Sequence, residues 1–353
     1  MKSQILILGP EYKNHRGGVG AVIESHMKIN PEAKFYCSYT PAGKLGMILR
    51  SVSKMLFFPI YLLFENDISI VHIHGASRGS FFRKCYYFYI SKLFSKRVIY
   101  HIHGAEYHLF IEESGNFVRR QIKRVITQSD KVIVLSNWWK DYFSTLFPNA
   151  DIIRIYNPIS LVESNSIENN PPKVKFLFLG HISQRKGCFE LIEVAKKLKE
   201  KKTSDFLIQI GGNGETQNLQ KLINENKLAS NVEFLGWVSG EEKIKLLQES
   251  HVYILPSYNE GLPVSILEAM SYGLPVISTK VGGIPEMIEN SISGFIINPG
   301  DMEGLQDSMD FFIRNRMEIS KMGYSSRKIV EKKFASNIIK EELNGLYKQL
   351  NYS

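Results

Sequence analysis

The chain has 353 residues, 44% of them hydrophobic, with 44 Lys and Arg against 35 Asp and Glu for a net charge of +9. That length predicts two domains, and the three scattered cysteines, Cys37, Cys85 and Cys188, exclude a disulfide framework and a Cys-x-x-Cys pair, which predicts a reducing compartment. The longest apolar run, residues 55–64, has ten residues where a bilayer span needs about 20. The opening "MKSQILILGPEYKN" has too short an apolar core for a signal peptide and fits a first buried strand.

In chain order, "QILILG" (4–9), "ISIVHIH" (68–74), "RVIYHIH" (97–103), "KVIVLS" (131–136) and "DIIRIY" (151–156) read as strands, with helices at 116–128 and 137–147. The stretch 157–173 is polar and rich in Pro and Asn, and it places an interdomain linker at 161–173 after a first domain of 1–160. The pattern then restarts. Strands are predicted at 174–180, 206–212, 232–236, 252–256, 275–279 and 294–298, closing a second domain at 335. Residues 301–350 read as helical with a break near Gly323, and the final helix, 336–353, has no strand after it and is free to return to the first domain. Apolar strands separated by helices predict two tandem doubly wound α/β domains with parallel sheets. Ligands of such sheets bind beyond the carboxyl ends of the strands, so motifs at strand ends should converge on a cleft between the domains.

Four such motifs stand out. "EGLPVSILEAM" (260–270) puts a glutamate on each side of an apolar run. Pro263 suits a first helical turn, where its missing N–H costs nothing, and the amides of that turn favour an anion such as a diphosphate. Ser265, Glu268 and Tyr272, spaced i, i+3, i+7, form one polar stripe on which Glu268 could accept a pair of hydroxyls, as a ribose presents. "RGGVG" (16–20) follows the first strand; Gly17 and Gly18 permit close approach of a ligand, but the motif is not the dinucleotide G-x-G-x-x-G. "GHISQRKG" (180–187) places Arg185 and Lys186 where they could stabilise a diphosphate leaving group. "HIHG" occurs at 72–75 and 101–104, so His74 and His103 end strands, while His72 and His101 read as buried and satisfied. A His-x-His pair can bind zinc, but spacing offers no third ligand and the chain has no Asp-x-Asp, so no metal is expected.

At these residues the sequence resembles the retaining glycosyltransferases of the GT-B superfamily, family 4. The Glu-x7-Glu pair is Glu260 and Glu268, and "GGVG", "HGAE" (103–106), "LSNWW" (135–139), "IYNPI" (155–159) and "KG" (186–187) follow the family's landmarks in order. The resemblance implies two Rossmann-like domains and metal-independent transfer of a hexose from a nucleotide-diphosphate sugar held by the second domain. It implies that Glu268 binds the ribose and that Glu260 lies by the donor sugar and phosphates, with Gly261, Leu262, Pro263 and Val264 beside it. Lys186 and Arg185 would hold the diphosphate, Gly18 and Gly17 would approach it from the first domain, and His103 would sit at the anomeric centre. His74 and Glu106 are acceptor-side candidates. The usual basic residue after the strand glycine is His181 here, a departure for which Arg185 could compensate. A nucleotide-sugar epimerase, a catalytically silent nucleotide-sugar-binding protein and a nicotinamide oxidoreductase are the competing readings.

The charge is unevenly placed. Residues 1–166 hold 21 Lys and Arg against 12 Asp and Glu, and residues 167–353 hold 23 of each. The first domain therefore meets something anionic. "KLGMILRSVSKMLFFPIYLLF" (44–64) and "FFRKCYYFYISKLFSKR" (81–97) mix basic with aromatic and apolar residues, as a surface for an anionic membrane does, although core-facing helices with basic outer faces would read alike. No nucleic-acid module is present. The expected acceptor is a glycan of surface-polysaccharide type, lipid-linked, with the protein cytoplasmic and peripheral at the inner face of the plasma membrane.

Overall fold

A computed structural model describes residues 4–13, 17–40, 44–162, 171–203 and 205–352. Most of the expected linker, 163–170, and Arg16 of "RGGVG" lie outside the described residues. The chain forms two units, Met1–Pro158 with Ser336–Ser353, and Ile159–Ala335. Each is a six-stranded parallel sheet flanked by helices.

The first unit runs β1 (Ile5–Pro10), α1 (Gly18–Ile29), β2 (Lys34–Tyr39), α2 (Lys44–Phe64), β3 (Ile70–Gly75), α3 (Gly79–Leu93), β4 (Arg97–Ile102), α4 (Tyr107–Glu113), α5 (Asn116–Gln128), β5 (Lys131–Val134), α6 (Asn137–Leu146) and β6 (Ile152–Arg154). Its strand order is β2-β1-β3-β4-β5-β6. β2 has no counterpart among the predicted strands. It is an edge strand, half-buried along most of its length, and "KFYCSY" lacks the β-branched run that marks the central strands. One face of this sheet is packed with apolar side chains: Leu6, Leu8, Val71, Ile73, Val98 and Tyr100 meet Phe58 of α2, Phe81 and Phe88 of α3, Ile122 of α5 and Phe143 of α6. The opposite face carries Ile7 against Ile23 of α1, and then a row of histidines.

The second unit runs β7 (Val174–Leu179), a 3-10 turn (Gln184–Lys186), α7 (Cys188–Glu200), β8 (Phe206–Gly211), α8 (Thr216–Glu225), β9 (Val232–Gly236), α9 (Gly240–Glu249), β10 (Val252–Leu255), α10 (Val264–Ser271), β11 (Val276–Thr279), α11 (Ile284–Met287), β12 (Gly294–Ile297), α12 (Met302–Arg314) and α13 (Met317–Lys333). Strand order is β12-β11-β10-β7-β8-β9. The predicted break at Gly323 does not occur. Gly323 is buried inside an unbroken α13, which packs on α10. The helix ends fall instead at Asn315–Arg316 and at Phe334.

The last helix, α14 (Ser336–Tyr352), belongs to the first unit, where it packs on α1 and β3. Tyr347 of α14 places its hydroxyl 2.7 Å from His72 Nδ1, and Asn351 Oδ1 accepts from the Ser69 hydroxyl at 2.8 Å.

Candidate active site

In the second unit the chain leaves β7 toward β8 and β9 on one side and returns to β10 on the other. The point where the order reverses lies between β7 and β10. Helix dipoles and loop amides from both directions open there, so this is where an open α/β sheet binds a ligand. The two loops that end these strands carry Lys186 and Glu260.

They are in contact. Lys186 Nζ forms an ion pair with Glu260 Oε1, with the side chains only 14% and 7% exposed. The same oxygen accepts from the Ser257 hydroxyl at 2.7 Å. A buried carboxylate needs such partners, and here it has a cation and a hydroxyl. Arg185 Nη1 donates to the Asn259 carbonyl at 2.8 Å, and Tyr258 N donates to the Arg185 carbonyl, also at 2.8 Å. Arg185 is thus bound to the loop by one arm.

Two glycines make the approach possible. Gly187 has φ 71°, and a Cβ on it would lie 2.1 Å from the Pro256 carbonyl oxygen. Gly282 has φ 52°, and its Cβ would lie 2.0 Å from the Glu260 carbonyl oxygen. Backbone therefore packs on backbone on both sides of loop 256–262. Glu190 on α7 fastens the same loops from below, accepting from Gln184 Nε2 at 2.5 Å and from the Tyr258 hydroxyl at 2.7 Å.

Pro263 caps α10 rather than sitting in its first turn, one residue earlier than predicted. Gly261, Leu262 and Pro263 are buried at that helix start, and Val264 is half-buried. The polar stripe is narrower than its spacing suggests. Ser265 shares a hydrogen bond with the Tyr253 hydroxyl, which also donates to the Leu179 carbonyl, and Tyr272 is buried. Glu268 remains, 23% exposed and paired with Lys243 of α9 at 2.7 Å. His181 is exposed, with Nδ1 3.1 Å from Asn213 Oδ1.

In the first unit the strand order reverses between β1 and β3. Gly17 and Gly18 begin α1 after β1. Both are exposed, and a Cβ on either would touch nothing, so no packing requirement explains them. His74 ends β3, buried, with Nδ1 2.8 Å from His103 Nε2 beyond β4. His103 N donates to the Gly75 carbonyl at 2.9 Å. Burial lowers the His103 pKa to about 3, so its ring is neutral at pH 7. Glu106 precedes α4 at its cap position without a side-chain cap bond.

Two family models match in tandem, "Glycosyltransferase Family 4" over residues 32–163 and "Glycosyl transferases group 1" over residues 162–329. The chain belongs to the group 1, family 4 glycosyltransferases. It is 25% identical over 301 residues to the amylovoran biosynthesis glycosyltransferase AmsK of Erwinia amylovora, covering 81% of this chain and 71% of that one. In fold this glycosyltransferase is similar to the sucrose-phosphate synthase of Thermosynechococcus elongatus, at a TM-score of 0.82 and 16% identity, with 99% and 100% of the two chains covered. It is also similar to Anabaena HepE in complex with UDP-glucose, at 0.79 and 17%, with 98% and 99% covered. The fold is GT-B.

Ser257, Lys243 and Glu190 of this glycosyltransferase were not singled out by sequence. Lys243 and Glu190 are placed by tertiary contacts, and no spacing rule links Lys243 to Glu268 across 25 positions, whereas Ser257 meets Glu260 inside their shared loop. The glycine-rich "GGNG" (211–214), at the end of β8, was likewise not singled out, although its glycines at a strand end are a signal that sequence offers. Its backbone is zipped to the β7 loop through Ile182 N to the Asn213 carbonyl and Glu215 N to the Ile182 carbonyl.

Proposed function

We propose that the glycosyltransferase moves a hexose from a nucleotide-diphosphate sugar to a glycan acceptor of the surface-polysaccharide type, lipid-linked, with retention of anomeric configuration and with no metal ion in the transfer step. The buried Lys186–Glu260 pair at the reversal point of the second unit's sheet carries this reading. A diphosphate placed beside Lys186 takes over part of its charge, which leaves Glu260 to accept sugar hydroxyls. The amides at the start of α10 add fixed dipoles, and Arg185 adds a second cation. Glu268 accepts the two ribose hydroxyls, and Gly17 and Gly18 give the phosphates an unobstructed backbone. In the transfer step the bond from the anomeric carbon to the diphosphate oxygen breaks with its electron pair. The acceptor oxygen bonds the same face of that carbon, and its proton passes to the departing diphosphate oxygen. Neutral His103 donates or accepts a hydrogen bond beside that carbon, with His74 and Glu106 toward the acceptor. The HepE complex with UDP-glucose supports a uridine nucleotide, and the amylovoran relative supports a polysaccharide product. The reading is tested by incubating the enzyme with radiolabelled UDP- and GDP-sugars and lipid-linked acceptors in EDTA. Label in the acceptor supports it; release or epimerisation of sugar with no product on any acceptor overturns it.

Glu268→Ala removes hydrogen bonds from a charged acceptor, each worth about 1.5–3 kcal/mol. Losing both ribose contacts should raise donor Kd about 100-fold or more by calorimetry, with a small change in melting temperature because the Lys243 pair is 32% and 23% exposed, within reach of solvent.

No helix among the described residues is long and apolar enough to cross a membrane. α2 nevertheless exposes Leu49 (62%), Leu56 (69%), Phe57 (63%), Leu63 (59%) and Phe64 (83%). Among its described side chains Phe58 and Leu62 are buried in the core, with Met55 and Tyr61 partly buried against it. Together with the +9 charge of residues 1–166, this supports docking on an anionic leaflet, cytoplasmic and peripheral at the inner face of the plasma membrane. Leu56→Glu with Phe57→Glu should reduce sedimentation with phosphatidylglycerol vesicles about tenfold or more, at about 0.8 kcal/mol per buried methylene lost. Unchanged sedimentation contradicts it.

A further inference from the structure

The sheet face under α1 and α14 holds five imidazoles. His72 and His74 point the same way from β3, His101 lies opposite His74 in the register with β4, and His103 follows two residues on. The missing element is on a helix: His26 of α1 is fully buried, with its ring centroid 5.0 Å from that of His74 and 5.5 Å from that of His101. Spacing along the chain could not show it, because a whole strand and a helix, β2 and α2, separate the helix of His26 from β3.

The hydrogen bonds within the group are ordered. Tyr347 OH meets His72 Nδ1 at 2.7 Å, His72 Nε2 meets His101 Nδ1 at 3.1 Å, and His74 Nδ1 meets His103 Nε2 at 2.8 Å. This leaves His74 Nε2, His101 Nε2 and both nitrogens of His26 buried without a partner. An unpartnered buried polar atom costs about 1–3 kcal/mol, and an apolar side chain would avoid that cost. His26, His72, His74 and His101 each offer a ring nitrogen within 4.8 Å of the others.

We propose that His26, His74 and His101 bind one divalent transition-metal cation of the zinc type. An all-imidazole set selects zinc, cobalt, nickel or copper over magnesium and calcium. Zinc–nitrogen bonds of about 2.0–2.1 Å require the rings to close on the ion by side-chain rotation. Burial keeps the rings neutral, the form that coordinates. The orienting bonds behind the ligands are already made. His72, held by Tyr347, orients His101, and His103 orients His74, as partners behind metal-bound histidines do. With Nε2 of His74 on the ion, its proton sits on Nδ1 and is donated to His103 Nε2. The ion therefore fixes the tautomer of His103 while tying α1 to β3 and β4. It takes no part in the donor's phosphate chemistry.

The test uses the full chain with no histidine tag, stripped by chelator and dialysed against zinc or cobalt. One equivalent of metal per chain is expected, with the visible ligand-field bands of a nitrogen-bound cobalt(II) centre and a melting temperature several degrees above the stripped chain. His26→Leu should weaken binding about 100-fold or more, and Tyr347→Phe, which removes only an orienting bond, about tenfold. A wild-type chain that holds no more zinc than one equivalent per ten chains and gives no cobalt spectrum overturns the proposal. So does a folded His26→Leu chain with unchanged affinity.

Discussion

Lys186→Ala should lower kcat for transfer about 10²- to 10³-fold, the usual effect of removing one group that stabilises developing charge, or about 2.7–4 kcal/mol. Lys186 is the cation paired with Glu260, the carboxylate proposed to lie beside the diphosphate. It is 14% exposed, so solvent does little to replace it. The substitution also leaves Glu260, buried and 7% exposed, without its cation. Breaking a buried pair costs about 3–5 kcal/mol of stability, so the melting temperature should fall as well. The two effects separate in a double variant. Lys186→Met with Glu260→Gln removes the uncompensated charge, and it should recover most of the melting temperature while transfer stays at or below that of Lys186→Ala, because the Glu260 carboxylate is lost as well. Recovery of transfer along with stability would show that Lys186 acts only as a structural partner.

Gly187→Ala should be nearly as damaging, although the residue has no functional group. Its φ of 71° costs an L-residue about 1–2 kcal/mol, and the added Cβ would stand 2.1 Å from the Pro256 carbonyl oxygen. Relief requires the Lys186 turn and the loop after β10 to separate. Overpacking of this kind costs about 1–3 kcal/mol more. Displacing a positioning group by about 1 Å can cost 10²-fold in rate. The expected result is a kcat/KM reduced about 100-fold with the chain still folded by circular dichroism. A variant with normal kinetics would mean that the close approach of these loops is not what presents Lys186.

Much of the fold was legible because its strands are buried on both faces and read as continuous apolar runs. β2 was not, since an edge strand covered on fewer sides keeps a mixed sequence. Gly323 misled because a glycine inside a helical pattern reads as a break, whereas here it lies buried within an unbroken α13. The candidate residues of the second unit could be singled out because Lys186 and Glu260 sit in loops after strands and Glu268 follows on α10 with marked spacing. The rest depends on side chains meeting across elements: Lys243 on Glu268, Glu190 under both loops and His26 among the strand histidines. α2 looked equally suited to a core and to a surface, and its exposure could be read only once its neighbours were in place.

The central claim is that the second unit binds a nucleotide-diphosphate sugar through Lys186, Glu260 and Glu268. A melting-temperature series with UDP, GDP, their sugars and NAD, all in EDTA and each against an EDTA-only control, tests it most directly. A ligand that binds only the folded chain stabilises it by about 2.7 kcal/mol at a hundredfold excess over Kd. The account predicts a rise with UDP and UDP-sugars that shrinks in Glu268→Ala. A rise with NAD alone, or a UDP-dependent rise that Glu268→Ala leaves unchanged, would contradict it.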